Sequence, residues 1–301
     1  MRSVQWSVKG WKAPRTQLIF LIVLQAFGLA ACSTHEPMPP QFAEEIAKQE
    51  KIYGSRGAAV PSGYVTGRTL SDYVELLPAG FCDSLGMLGS ADRWLDIGAG
   101  DGQAILDYYA FEDGAVPAEQ CNGSFSKAHA VAMSIEDRRT DKWRQHAAIF
   151  GNDRIRYLYG KRLRNYSDEE LGKFQIITDV YGGFSYTEDL SQFLEKVLSL
   201  LEIDGVFYTM VQSVHLQDGK DEPKSSYLTN LVDAAGREVN VCFWLKQTTC
   251  VQVVCESKSD WETPTELIDI RKICNGVSVP RVKLLKYEAG NPPGRRFQLV
   301  P

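Results

Sequence analysis

The chain has 301 residues, enough for one or two domains with a sizeable core. With 44% hydrophobic and 24% charged residues it has the composition of an ordinary globular protein, which excludes collagen-like, disordered and multi-span membrane classes. A net charge of −5 argues against a nucleic-acid binder that works by neutralising phosphates, so no nucleic acid is expected as partner.

At the N-terminus Arg2, Lys9, Lys12 and Arg15 precede an apolar run at residues 18–31, and no acid falls among them. The run is shorter than the roughly twenty residues a spanning helix needs. It fits the hydrophobic region of a secretory signal. Small residues then lead into a cysteine, Leu29-Ala30-Ala31-Cys32. This ending resembles the lipobox of bacterial lipoproteins. The resemblance implies that residues 1–31 are a signal peptide, that Cys32 is the lipid attachment site, and that the chain is membrane-anchored in the cell envelope. Ser33 is similar to the outer-membrane sorting pattern, which implies an outer membrane location facing the periplasm. Residues 32–68, with Pro37, Pro39, Pro40 and Pro61 around one short helical stretch, read as a spacer.

Residues 69–301 read as one domain of alternating elements. The patterns predict a helix over 70–88, a strand over 93–97, a glycine-rich turn, and a helix to about residue 109. A strand over 128–135 and a helix over 137–150 follow, the latter with Trp143, Ala147 and Phe150 on one apolar stripe. Strands are expected at 155–159, 174–180 and 205–212, with an amphipathic helix over 189–201 before the last. Such alternation implies an α/β fold, a doubly wound and mostly parallel sheet with helices on both faces. Residues 213–262 read as an insertion carrying a helix near 224–235 and a cysteine-bearing hairpin at 239–255. Its Phe243 and Trp244 are suited to walling a ligand pocket at the carboxyl end of the strands. A helix over 263–274 and strands over 281–287 and 295–300 complete the chain; the two strands form an antiparallel C-terminal hairpin that closes the sheet.

Setting Cys32 aside leaves Cys82, Cys121, Cys242, Cys250, Cys255 and Cys274. In an exported protein an even count permits disulfides, with Cys242 and Cys250 placed to face each other across a hairpin. Reduced core cysteines, acting as small hydrophobes, fit the sequence equally well. The spacings match no zinc pattern, so no metal is expected.

Most of the chemistry falls in Asp96-Ile97-Gly98-Ala99-Gly100-Asp101-Gly102. Glycines at a strand-to-helix turn let backbone approach a ligand closely, and a helix start offers N–H groups. The spacing differs from the dinucleotide fingerprint, and Asp96 would repel a pyrophosphate while suiting a cationic aminoacyl group. Here the chain resembles the class I S-adenosylmethionine-dependent methyltransferases, over residues 70–301. Ile176-Ile177-Thr178-Asp179-Val180-Tyr181 matches the family's fourth strand, and Leu200-Leu201-Glu202-Ile203-Asp204-Gly205 its turn into the fifth. The resemblance implies a seven-stranded Rossmann-like sheet and S-adenosylmethionine as cofactor, held by Asp96, Gly98, Ala99, Gly100, Gly102 and Asp179. Where the family carries an acid for the ribose, this chain has Ser134, with Glu136 two places on. After the third strand it has Gly160-Lys161 in place of Gly-Asp. The implied activity is methyl transfer to a small-molecule or envelope acceptor. The alternative is a non-catalytic envelope lipoprotein that keeps the fold as a binding module.

Catalytic candidates are few. Tyr181 and Tyr186 line an acceptor pocket or pack at its rim. His215 is either a base or an ordinary loop histidine, and Tyr208 reads as core. The leader yields the first prediction: labelled palmitate should enter the wild-type chain and be absent from Cys32→Ser. Equal labelling of both would remove the anchor.

Overall fold

A computed structural model of the chain describes residues 67–110, 127–212, 229–259, 264–287 and 294–300. The signal, Cys32, most of the spacer, Cys121 and His215 lie outside the described residues.

The first helical stretch is two helices, α1 (Leu70–Leu76) and α2 (Gly80–Met87). Pro78 between them cannot continue a helix, so the expected single helix is broken there. A capping box of Thr69 and Asp72 starts α1. Strand β1 (Arg93–Ile97), α3 (Gln103–Ala110), β2 (His129–Met133), α4 (Asp141–Phe150) and β3 (Ile155–Leu158) follow. Then come α5 (Asp168–Leu171), β4 (Phe174–Asp179), α6 (Gly183–Tyr186), α7 (Leu190–Leu200) and β5 (Leu201–Gln212). Thr140 caps α4 through its hydroxyl, which is why that helix starts later than the apolar pattern suggests.

Beyond β5 the structure departs from the sequence pattern. The elements are β6 (Thr229–Val232), β7 (Glu238–Val239), α8 (Val241–Leu245), β8 (Val251–Lys258), β9 (Thr265–Lys272), β10 (Val282–Tyr287) and β11 (Arg295–Leu299). The main sheet has seven strands in the order β3-β2-β1-β4-β5-β9-β8. Its first five are mutually parallel, and β9 runs antiparallel to both β5 and β8. This is the expected Rossmann-like, mostly parallel seven-stranded sheet, closed by other residues than expected.

Three expectations are corrected. The helix expected at 263–274 is β9: Ile268 and Ile270 are buried while Asp269 and Arg271 stay partly exposed, a period of two, and pairing with β5 and β8 on both sides overrides helical propensity. Within the helix expected at 224–235, residues 229–232 are the fully buried strand β6. The hairpin of β10 and β11 exists, but it belongs to a second, four-stranded sheet of order β10-β11-β6-β7, because β9 already occupies the edge of β5.

The 239–255 segment is not a plain hairpin either. Cys242 lies on α8 and bonds Cys255 of β8, while Cys250 bonds Cys274, so Cys242 and Cys250 are not partners. The helical turn of α8 removes the cross-strand geometry that pairing would need. Cys82 is also disulfide-bonded. Trp244 is fully buried and donates its indole N–H to the Pro280 carbonyl, so it packs the core and walls no pocket; Phe243 is exposed.

Two cores flank the main sheet. One holds Leu95, Ile97, Ile177, Phe184 and the apolar face of α7; the other holds Trp94, Ile176, Val180 and the buried faces of α1, α2 and α3. No helix among the described residues is long and apolar enough to cross a membrane. Leu194 of α7 has no exposed surface, whereas Ile149 is 74% exposed. Leu194→Ala should therefore cost about 2–5 kcal/mol of unfolding free energy. Ile149→Ala should stay within about 0.5 kcal/mol of wild type, both read by denaturant titration.

Candidate cofactor and active site

Strand β1 runs between β2 and β4 and delivers its carboxyl end to the turn at residues 98–102. Gly98, Gly100 and Gly102 all take left-handed φ values, 77°, 60° and 81°. The amides of Gly98 and Ala99 donate to the Met133 carbonyl at 2.9 and 3.0 Å, locking the turn to the end of β2. Two of the glycines answer to the protein's own packing. A Cβ on Gly98 would stand 2.5 Å from the Cα of Gly182, and one on Gly102 would enter the ring of Trp143. Gly100 is half-buried, and its carbonyl accepts from the Tyr157 hydroxyl.

Asp96 is completely buried beneath this turn. The Tyr73 hydroxyl donates to it at 2.8–2.9 Å, and the Thr178 hydroxyl at 2.7 Å. Thr178 in turn accepts from the Trp94 indole at 2.9 Å. Burial pushes the Asp96 carboxyl up to about 7, against the pull of these hydrogen bonds and of the Arg68 charge. Its oxygens are therefore satisfied by Tyr73 and Thr178, and the group projects negative potential through the turn only once it ionises, near pH 7.

Next door, Asp179 ends β4, opposite Ile97 in the register. It is also completely buried, and its oxygens accept from the amides of Gly182 and Phe184 at 3.0 Å each. Burial raises it too, to about 7, with the backbone donors and Arg295 opposing. Its carboxylate thus caps α6 and seats the Gly182 backbone against β1. Tyr181 takes the strained φ of 52° between them. Its hydroxyl accepts from Gln212 of β5 at 3.0 Å, and the Arg68 guanidinium lies 4.9 Å over its ring. Tyr186 closes α6, and Tyr208 is core, its hydroxyl 2.6 Å from that of Ser84.

At the ends of β2 and β3 the polar groups pair among themselves. The Tyr157 hydroxyl donates to the Gly100 carbonyl; burial pushes it up to about 12, against the opposing influence of the nearby Ser134 side chain and Arg138 backbone. Glu136 pairs with Arg138 at 2.6 Å, and Lys161 with Glu170 at 3.1 Å.

Asp96, Gly98, Ala99, Gly100, Gly102, Ser134 and Asp179 thus converge on one edge of the sheet, with Tyr181 beside them. Four participants escape sequence reading. Tyr73 and Thr178 are invisible as Asp96 partners because they lie 23 and 82 residues from it. Tyr157 reads only as a strand aromatic. Arg68 reads as the end of the spacer, although its neighbour Gly67 crosses the turn at Asp101. The capping box at Thr69, which fixes where Arg68 enters α1, was the signal available.

Two buried acids with raised values set a pH dependence. Unfolded, each releases its proton near its ordinary value of about 4; folded, each holds it to about 7. Between those values the folded chain binds more protons, so stability should fall as pH rises from about 4 to about 7 and level off above. Denaturant unfolding across that window checks it, and Asp96→Asn should make the slope shallower. A rise in stability over the same window would contradict the assignment. Gly182→Ala should unseat the loop, since its Cβ would enter the Ile97 carbonyl.

No known family profile matches the chain, and no curated protein matches it in sequence. Solved structures are similar in fold. A rRNA methylase from Streptococcus thermophilus shares 16% identity over 64% of this chain and 95% of its own, at a TM-score of 0.38. The 1,6-didemethyltoxoflavin-N1-methyltransferase of Burkholderia thailandensis, with S-adenosylhomocysteine bound, shares 16% over 78% and 88%, at 0.43. A precorrin-6y C5,15-methyltransferase from Geobacter metallireducens shares 15% over 70% and 95%, at 0.36. Identities and scores this low leave the reading of the site to its own residues.

Proposed function

We propose that the chain binds S-adenosylmethionine at the turn after β1 and transfers its methyl group to a small-molecule or envelope acceptor. The observation that carries this reading is the left-handed glycine turn over the buried Asp96, at the carboxyl end of the central strand. Ligands of open α/β sheets bind at that edge. When bound, the cofactor supplies an electrophilic methyl on a sulfonium, which an acceptor nucleophile takes while a thioether leaves.

The residues present fit this group. Gly100, half-buried, offers bare backbone for close approach. Once ionised, Asp96 supplies negative potential for a cationic aminoacyl end, little screened by water because it is buried. At the ribose end Ser134 replaces a carboxylate, but Glu136 is within two residues and held only by a partly exposed pair with Arg138. Breaking such a pair costs about 0–1 kcal/mol, so Glu136 is available to a diol. Asp179 holds the Tyr181 loop in place, and Tyr181 presents its ring with Arg68 above it to the acceptor side. We further propose that the anchor at Cys32 keeps this activity at the envelope membrane.

Calorimetric titration with S-adenosylmethionine and S-adenosylhomocysteine tests the reading. Both should bind. Gly100→Val should abolish binding without unfolding the chain, and Ser134→Asp should raise affinity about tenfold to about a hundredfold. Affinity for S-adenosylmethionine should also increase as pH rises through about 7, where Asp96 loses its proton. Absence of binding at millimolar cofactor would overturn the methyltransferase reading and favour the non-catalytic module.

A further inference from the structure

Away from the glycine turn, along the same edge of the sheet, three further side chains meet. Cys242 lies on α8, Cys255 on β8, and Glu266 on β9 opposite Val211 of β5. Their sulfur and carboxylate atoms all lie within 4.8 Å of one another. The two cysteines are joined as a disulfide. Glu266 is 9% exposed, and its Oε1 accepts from the Asn240 side-chain amide, while its Oε2 has no hydrogen-bond partner among the described residues.

A buried acceptor without a donor is unfavourable, and native structures seldom keep one without a use. The disulfide cannot relieve it, because its sulfurs carry no hydrogen. Reduction changes the chemistry. A dithiol reductant gives two electrons and two protons, is itself oxidised to a disulfide, and leaves Cys242 and Cys255 as thiols.

We infer that the reduced pair, with Glu266, is a binding site for one zinc-class divalent cation. Two soft thiolates and one carboxylate suit that ion, with water as fourth ligand. Binding releases the two thiol protons and brings a charge of +2 to three anionic ligands, which could not share a buried space without it. Asn240 fixes the carboxylate by its Oε1 and leaves Oε2 uncommitted, the orienting arrangement that metal carboxylates commonly have. Each ligand comes from a different element, so the site is built by the fold and has no sequence spacing to betray it. Disulfide and metal exclude one another, which makes occupancy depend on redox state.

The test uses the full chain, reduced with a phosphine under anaerobic conditions and titrated with cobalt(II) as the optical probe. Wild type should develop a thiolate charge-transfer band at one cobalt per chain beyond the double variant Cys242→Ser/Cys255→Ser, which keeps the other cysteines. Glu266→Gln should keep the same number of reducible thiols but weaken cobalt binding tenfold or more. Oxidised wild type should show no such band. Equal bands in wild type and double variant, no band in reduced wild type, or unchanged affinity in Glu266→Gln would each overturn the site. Should the double variant fail to fold, the oxidised–reduced comparison and Glu266→Gln still decide. None of these readouts involves S-adenosylmethionine.

Discussion

The Asp96 carboxylate has no exposed surface, and much of this structure follows from keeping it satisfied. A buried carboxylate must find donors within the protein or give up its charge. Here they come from Tyr73 on the first helix and Thr178 on the neighbouring strand, with the Trp94 indole supporting Thr178 in turn. These contacts tie α1, β1 and β4 into one unit directly below the glycine turn. Losing Tyr73 or Thr178 would leave the acid partly unmatched, at a cost of about 1–3 kcal/mol.

Asp179 repeats the arrangement on the opposite face of the pleat. Asp96 lies level with Thr178, and Ile97 with Asp179, so the two acids leave the sheet in opposite directions. One organises the helix side that carries Tyr73; the other organises the loop that presents Tyr181. The contact of Gly98 with Gly182 joins the two systems. A side chain at either position would separate the loops, so the paired glycines set how closely the edge can close.

Legibility in the sequence tracked local signals. The strand at 93–97 was readable to the residue because it is a short apolar run ended by glycines. The parallel half of the sheet followed from alternation. The antiparallel half was not readable: Thr265–Lys272 carries residues tolerated in a helix, and its strand state comes from seven rungs of pairing with β5, a non-local interaction. The second sheet is similarly long-range, since β11 pairs with β6 across more than sixty residues of sequence. At the site, Asp96 and the glycines were visible as a motif. Their meaning was only partly so, since Gly98 and Gly102 are required by Gly182 and Trp143, neither of which the motif contains.

Arg295 carries a consequence for the order in which the molecule assembles. Its buried guanidinium donates to the carbonyls of Phe184 and Thr187 and to the Thr229 hydroxyl. Those carbonyls belong to the short helix that follows the Tyr181 loop and to its C-cap residue, 111 and 108 residues upstream of their donor. During synthesis the main sheet's parallel strands can form while this helix still lacks its clamp. At about 5–20 residues per second, the 108 residues from Thr187 to Arg295 take roughly 5–20 seconds. Throughout this interval the Tyr181 loop lacks its C-terminal support, so the edge with the glycine turn is finished only by the last residues made.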